Sequence, residues 1–345
     1  MDCNVLIIGS GPGGMSAAHH LGRLGVGGVT VLERMGDDAY ARYHSICGEA
    51  ISDRMIRKVG IRPEGVTREV DAIGIDFPGG VSIRIPVKGV IVDRVRMLRS
   101  IRDSLSCQII HGNAVSVSKE VDRYMVRLSD GSEIRCNHLI GADGAHSTVR
   151  RDIFGKGLIS FMPIVNNIVE GDGGSILRFM VGRQYLGGYK WEFPSSEGRM
   201  SVGYPKGTDD VADPISRGAR DMPIGRLGRY VDGRCYLIGD AACMPNQLCF
   251  GGIGAAMLSG RKAAEAVAAD RPGKYQKWAS RCILTDPHFQ KAHDDFTRWN
   301  DDDIARAMEP FRKGYSILRG MVAIVRNPRW ANIYMSCWIG FSRGW

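Results

Sequence analysis

Apolar and polar positions along the chain fall into two regimes. In the first, residues 4–8 form a short apolar run that stops at a glycine turn, residues 9–14. Helical spacing follows over residues 13–24, and a second apolar run over 29–33; together these predict a compact βαβ unit. Residues 34–52 are charged and irregular. Residues 73–91 alternate apolar and polar around Gly79-Gly80 and Pro86, as antiparallel strands do. A helix over 95–105 leads to strands within 108–118 and over 124–128, and Asp130-Gly131 reads as a hairpin turn into 133–136. In the second regime, after Arg150, strand patterns occupy 175–181, 188–194 and 200–204, predicting an antiparallel sheet in a separate lobe. A Gly/Asp/Pro-rich connection over 206–232 precedes a strong strand at 235–238, and helices fill the remainder from Ile253. No internal repeat or low-complexity tract interrupts this pattern.

Composition adds little to the pattern but excludes several classes. With 44% hydrophobic and 24% charged residues, the 345-residue chain matches an ordinary globular protein of one large or two ordinary domains. Its nine cysteines are odd in number and contain no CxxC pair, so reduced thiols in a cytoplasmic protein are expected rather than a disulfide framework. No secretory leader is expected at Met1, and no apolar run approaches the ~18 residues needed to span a bilayer. The net charge of +9 permits anionic partners, but the basic residues are dispersed and carry no nucleic-acid motif, so no nucleic-acid partner is expected. Cys243 and Cys249 lack cluster spacing, and His288 and His293 are five apart, so no metal is expected.

Three segments carry the chemistry. The first is Gly9-Ser10-Gly11-Pro12-Gly13-Gly14, a GxGxxG between strand and helix. Gly9 suits the tight turn, Gly11 lets the backbone approach a pyrophosphate, and Gly14 lets the helix pack close to the strand. The helix N-terminus adds partial positive charge. Glu33, followed by Arg34, ends the second strand at the distance where an acid accepts ribose hydroxyls and repels a 2′-phosphate. The second segment runs from Gly141 to Arg150 and contains Asp143-Gly144. In the third, Gly239-Asp240 ends a strand, and Gly251-Gly252-Ile253-Gly254 opens a helix. Asp240 is placed to accept from a ribityl hydroxyl, and that helix N-terminus to stabilise a reduced, anionic flavin.

In this order and spacing, the segments resemble the FAD fingerprints of the p-hydroxybenzoate hydroxylase-like flavoproteins. The resemblance implies that Arg94 lies near the FAD phosphates and that Ala114-Val115 clasp the adenine. Gly188-Tyr189-Lys190-Trp191-Glu192-Phe193-Pro194, followed by Val202-Gly203, resembles the YxWxFP…G motif of the geranylgeranyl reductase family. Residues 42–49, containing His44 and Cys47-Gly48, resemble that family's CG segment beside the isoalloxazine. Strand alternation puts Tyr189, Trp191 and Phe193 on one face, suited to wall an apolar tunnel.

The resemblance, which runs over most of residues 1–265, implies reduction of isoprenoid double bonds. Such an alkene needs hydride from flavin N5 and a proton from an acid, with water excluded. Cys47, Tyr189 and His44 are the candidate catalytic residues, and Tyr189, Trp191, Phe193, Pro194 and Phe250 the candidate substrate contacts. The electron donor is NAD(P)H, ferredoxin or a reduced deazaflavin. Two departures touch the substrate side: the 204–235 connection is short for the family, and Phe250 stands where the family has a glycine.

The expected fold is α/β, α+β overall: a Rossmann-like FAD-binding domain (1–70, 92–150, 233–270), an inserted antiparallel-sheet substrate domain (71–91, 151–232) and C-terminal helices (271–345). The last of these, with Trp330, Tyr334, Trp338, Phe341 and Trp345 among basic residues, suits peripheral contact with a membrane interface. The competing readings are a flavin monooxygenase acting on a small aromatic and a flavin-binding partner without turnover.

Overall fold

The computed structural model describes residues 1–345 except Lys156, Leu158 and Gly344. Strand β1 (Asp2–Ile8) is buried from Val5 onward, as its apolar run requires. Helix α1 (Pro12–Arg23) carries proline in its first turn, where the missing N–H costs no intrahelical bond. Strand β2 (Val29–Glu33) is wholly buried and pairs parallel with β1, which closes the predicted βαβ unit.

Residues 34–52, read as irregular, hold helix α2 (Asp37–His44) and strand β3 (Ala50–Ser52). Eight residues with only Tyr40 and His44 buried are too few to show a helical period. Helix α3 (Asp53–Val59) follows, capped by the Ser52 hydroxyl. Strands β4 (Val66–Phe77) and β5 (Val81–Val92) form the long hairpin about Gly79-Gly80. Next come α4 (Arg94–Asp103), β6 (Gln108–His111), β7 (Ala114–Lys119), β8 (Tyr124–Leu128) and β9 (Glu133–Gly141), with Asp130-Gly131 at the predicted turn.

The second lobe contains β10 (Ile159–Glu170), β11 (Ile176–Met180), β12 (Lys190–Pro194), β13 (Arg199–Pro205) and β14 (Ser216–Gly225). The last lies inside the stretch read as a connection. It pairs antiparallel with β10 from Ile168↔Ser216 to Ile159↔Gly225, but its sequence SRGARDMPIG has no apolar alternation to betray it. Strands β15 (Val231–Asp232) and β16 (Cys235–Leu237) return the chain to the first lobe. Helices α5 (Gly252–Ala268), α6 (Pro272–Ala279), α7 (Pro287–Arg298), α8 (Asp301–Met308), α9 (Ile317–Arg326) and α10 (Ala331–Arg343) complete the chain.

Among the described residues, two eight-stranded sheets result. The first has the order β15-β16-β9-β1-β2-β6, with β8 joining β9 and β7 joining β8; β16, β9, β1, β2 and β6 run parallel. The second has the order β14-β10-β13-β12-β11-β4-β5-β3 and is antiparallel apart from the β11–β4 pair. Membership refines the expected boundaries: β3 and the start of β4 belong to the second sheet, and β15 belongs to the first. One core packs α1 and α5 against β1, β9 and β16. The other packs the aromatic face of the second sheet against α7, α8 and α10, with Phe179 centred 5.0 Å from both Phe193 and Phe341. Among the described residues, no helix is long and apolar enough to cross a membrane.

Candidate functional site

A continuous cleft of about 1790 Å³, open to solvent, runs between the two sheets and is lined by all three glycine-containing segments. At its first end lies the turn between β1 and α1. Gly9 has φ +99°, and a Cβ there would stand 2.4 Å from the Ala142 carbonyl oxygen; a Cβ on Gly14 would stand 1.9 Å from the Gly9 oxygen. Gly11 instead faces the cleft, its nearest neighbour being His44 Cε1, 3.4 Å from a Cβ position. Gly11 is the N-cap of α1 but, among the described residues, no side chain caps the helix and no acid occupies its first turn. The same holds for α5, which begins at Gly251-Gly252-Ile253 on the far side of the cleft. Two helix N-termini therefore open onto one cavity, a field suited to anions.

The Glu33 carboxylate accepts from the Ser10 amide at 2.9 Å, the Ser10 hydroxyl at 2.6 Å and the Met35 amide at 2.8 Å. It is thus fixed in orientation at the cleft wall beside Arg34, Gly112 and Asn113. Ala114 lines the cleft, but the Val115 side chain is exposed and its carbonyl accepts from Arg151 at 2.9 Å. Asp143 and Gly144 line the cleft too. The Asp143 carboxylate is committed to Ser147 Oγ at 2.5 Å and the Val149 amide at 3.1 Å, which shapes the turn. Burial pushes its pKa up and those hydrogen bonds pull it back.

Arg94 lines the cleft, yet its guanidinium is occupied by backbone. Nε donates to the His44 carbonyl at 2.6 Å, and Nη2 reaches the carbonyls of Tyr43 and Ile46 at 3.4 Å. It anchors the segment that carries Cys47. His44 is buried against Gly11, and neither ring nitrogen has a partner among the described residues. Burial first, then Arg94 and Arg220, push its pKa down to about 2, so the ring is neutral at any ordinary pH. It faces the Gly9–Gly14 turn, not the aromatic wall.

That wall comes from β12. Tyr189, Trp191 and Phe193 all line the cleft with Phe179, Phe250 and Trp345, whereas Pro194 turns away toward Gly173. The Tyr189 hydroxyl donates to the Cys249 carbonyl at 2.6 Å, and burial holds its pKa well above the usual phenol value. Trp191 Nε1 donates to Ser201 Oγ at 3.1 Å and its ring lies over Gly203, the facing residue on β13. This contact explains the glycine of the motif. Phe250 sits at φ +48°, a left-handed conformation in which glycine is unstrained, so the backbone keeps the shape while the side chain enters the cleft.

Sequence reasoning missed Arg220, which lies on the unrecognised strand β14. Its Nη2 lies 3.4 Å from Asp240 Oδ2 and 3.3 Å from the Tyr43 hydroxyl, and its guanidinium stacks 4.9 Å from the Tyr43 ring centroid. It joins the second sheet to the Asp240 loop across the cleft. Glu49 was also passed over. It lines the cleft, accepts from the Arg94 amide at 3.1 Å, and is raised to about 7, burial outweighing the pull of Arg94.

These residues fit an FAD. The two uncapped helix N-termini and the unpartnered His44 imidazole face where a pyrophosphate and a flavin pyrimidine edge would lie. Gly9, Gly11, Pro12 and Gly13 leave the backbone bare on the cleft side. Comparison with known proteins agrees. Residues 2–77 match the model of an FAD binding domain. The chain is 26% identical over 314 residues to digeranylgeranylglycerophospholipid reductase 1 of Methanopyrus kandleri, covering 77% of this chain and 80% of that one. It is 27% identical over 361 residues to menaquinone reductase of Mycobacterium tuberculosis, covering 83% and 85%. Among solved structures it resembles a geranylgeranyl bacteriochlorophyll reductase-like protein of Thermoplasma acidophilum, with a TM-score of 0.78, 18% identity, and 95% and 97% of the chains covered. The same fold is shared with p-nitrophenol 4-monooxygenase of Pseudomonas putida, with a TM-score of 0.70, 15% identity, and 96% and 99% covered. With the glycine segments, the Cys47-Gly48 turn and the YxWxFP wall now around one cleft, the chain is an FAD-dependent oxidoreductase similar to the geranylgeranyl-type reductases.

Proposed function

We propose that the chain reduces carbon–carbon double bonds in a polyprenyl lipid of the geranylgeranyl type. The observation that carries this reading is the aromatic wall: Tyr189, Trp191, Phe193 and Phe179 make the face of the cleft beyond the Asp240 loop apolar and close-packed. Reduced FAD, when bound, supplies hydride from N5. The protein's part is to hold the alkene against that face, exclude water from a developing cation, and place a proton. Glu33 and the α1 N-terminus would hold the adenosine and pyrophosphate end, while Asp240, braced by Arg220, and the α5 N-terminus would hold the flavin end.

For the proton, Cys47 fits better than the other two candidates. Its side chain lines the cleft together with Arg220 and Tyr189. Tyr189 already donates to a carbonyl, and His44 is neutral beside the glycine turn. Glu49, two residues on and with a pKa of about 7, is suited to restore a proton at that turn. The donor of electrons to the flavin is NAD(P)H, ferredoxin or a reduced deazaflavin.

The test is a single turnover. FAD-loaded protein is reduced with dithionite without oxygen and given a detergent-dispersed geranylgeranyl lipid. Mass spectrometry is expected to show two hydrogens gained per double bond, and Cys47→Ala to slow that step by about a hundredfold or more. Reduced flavin that leaves the lipid unchanged, yet hydroxylates a small phenol when oxygen is admitted, overturns the reading in favour of a monooxygenase.

A further inference from the structure

Helix α9 is built inside out. An amphipathic helix on a globular protein turns its apolar stripe toward the core. Here Ile317, Leu318, Met321, Val322 and Val325, at the spacing of one helical face, all point to solvent, with Leu318 68% and Val325 81% exposed. Only Ala323 is buried, and Ser316 Oγ caps the Arg319 amide at 3.2 Å, so the helix is well formed with its apolar face uncovered. From residue 310 to 345 there is no Asp or Glu, against Arg312, Lys313, Arg319, Arg326, Arg329 and Arg343. Among the described residues, Arg312 alone of these six pairs with a carboxylate, that of Glu309. Arg329 stacks on Trp330 at 4.0 Å and Arg343 on Trp338 at 5.3 Å, which keeps cation and aromatic together at the surface.

We propose that α9 docks on an anionic lipid bilayer, its apolar face in the acyl boundary and its arginines among the headgroups. A second copy of this chain fits poorly, because pairing two such surfaces would bring five cations without a carboxylate partner against five. The neighbouring helix α10 ties this surface to the cleft: its Phe341 packs on Phe179 of the aromatic wall, and Trp345 lines the cleft itself. Docking through α9 thus sets the apolar end of the cleft beside the phase in which a polyprenyl chain is dissolved. In this the inference deepens the prenyl-lipid reading and rests on it for its purpose, though not for the binding itself.

Flotation of the full, FAD-loaded chain tests it, on vesicles of phosphatidylcholine alone and with about one third phosphatidylglycerol. The chain is expected to float with the anionic vesicles, less so in added salt and weakly with phosphatidylcholine alone. Leu318→Asp with Val325→Asp is expected to lower binding at least about tenfold while FAD stays bound; Arg326→Glu with Arg329→Glu gives the second variant should the first fail to fold. The inference is overturned if the wild type does not float, if both variants float as well as it does, or if the aspartates instead split a dimer that ignores vesicles. Turnover of detergent-dispersed lipid separates the two ideas. Loss of vesicle turnover alone in the aspartate variant supports docking, whereas vesicle binding without turnover of any prenyl lipid leaves docking standing and defeats the substrate reading.

Discussion

Substituting Gly203 by alanine tests whether the aromatic wall is held as the structure indicates. A Cβ on Gly203 would stand 1.9 Å from Trp191 Cζ2, 2.2 Å from Cη2 and 2.4 Å from Cε2. Carbon atoms in contact need ~3.5 Å, so the ring must retreat by roughly 1.6 Å. Its flanks are closed by Tyr189 and Phe193, with centroids at 6.2 and 6.4 Å. The open direction is into the cleft. Overpacking of this kind costs about 1–3 kcal/mol, and losing the indole hydrogen bond to Ser201 adds about 1 kcal/mol. A destabilisation of about 2–4 kcal/mol is therefore expected, read as a lower urea midpoint for FAD-loaded protein, together with weaker prenyl-lipid binding. Gly228→Ala, with no heavy atom within 4 Å of its Cβ position, is the control and should change little. The double variant Gly203→Ala/Trp191→Leu is expected to be no less stable than Trp191→Leu alone, because the clash is with the indole. Additive effects, or a Gly203→Ala protein indistinguishable from the control, would refute the reasoning.

Three further outcomes follow from the cleft. Gly14→Ala, whose Cβ would collide with the Gly9 oxygen, should yield colourless protein that takes up no added FAD; a normal flavin spectrum would deny the close strand–helix approach. Asp240→Ala removes the proposed flavin-side acceptor and a partner of Arg220, and FAD titration should give a Kd raised about ten- to a hundredfold; an unchanged Kd would refute that role. In FAD-free protein, Glu49 titrates at about 7 against 4.5 when unfolded. The folded state keeps a proton that the unfolded state has lost, so its contribution is complete below about pH 4.5 and disappears as pH rises through 7. The loss is on the order of 3 kcal/mol, and Glu49→Gln should flatten that part of the urea-midpoint profile; a wild-type slope in the variant would remove Glu49 as its source.

How much could be read from the sequence depended on what each segment packs against. Strands β1, β2, β9 and β16 are buried on both faces, so their apolar runs stand out and the first sheet was legible. The β4–β5 hairpin was legible for the opposite reason, since one face is solvated and the alternation survives. Strand β14 gives neither signal. It is an edge strand, exposed or half-exposed over its first seven residues, and carries three charged residues, of which Arg220 lines the cleft. What hid the strand was the chemistry it bears.

The same logic separates residues whose reason is local from those whose partners the fold decides. Glycines are legible because their reason is steric and local: Gly9 and Gly14 have no room for a Cβ whatever else the chain does. Side-chain roles are less so, since a hydrogen bond is spent on whichever partner the fold brings nearest. Arg94 lies in the cleft as expected but gives its donors to the carbonyls of residues 43, 44 and 46, and Tyr189 gives its hydroxyl to residue 249. Phe250 joins both lessons. Its φ of +48° preserves the backbone that a glycine would adopt without strain, while its ring, 5.8 Å from Tyr189 and 6.1 Å from His293, occupies cleft space that a glycine would leave open. Holding a phenyl-bearing residue in the left-handed region costs about 1–2 kcal/mol, and such strain collects where function constrains the chain. Strain and narrowing thus fall on one residue beside Tyr189, and on the proposed prenyl-lipid reading Phe250→Gly is expected to let a longer tail advance along the wall, read as turnover across lipids of increasing chain length.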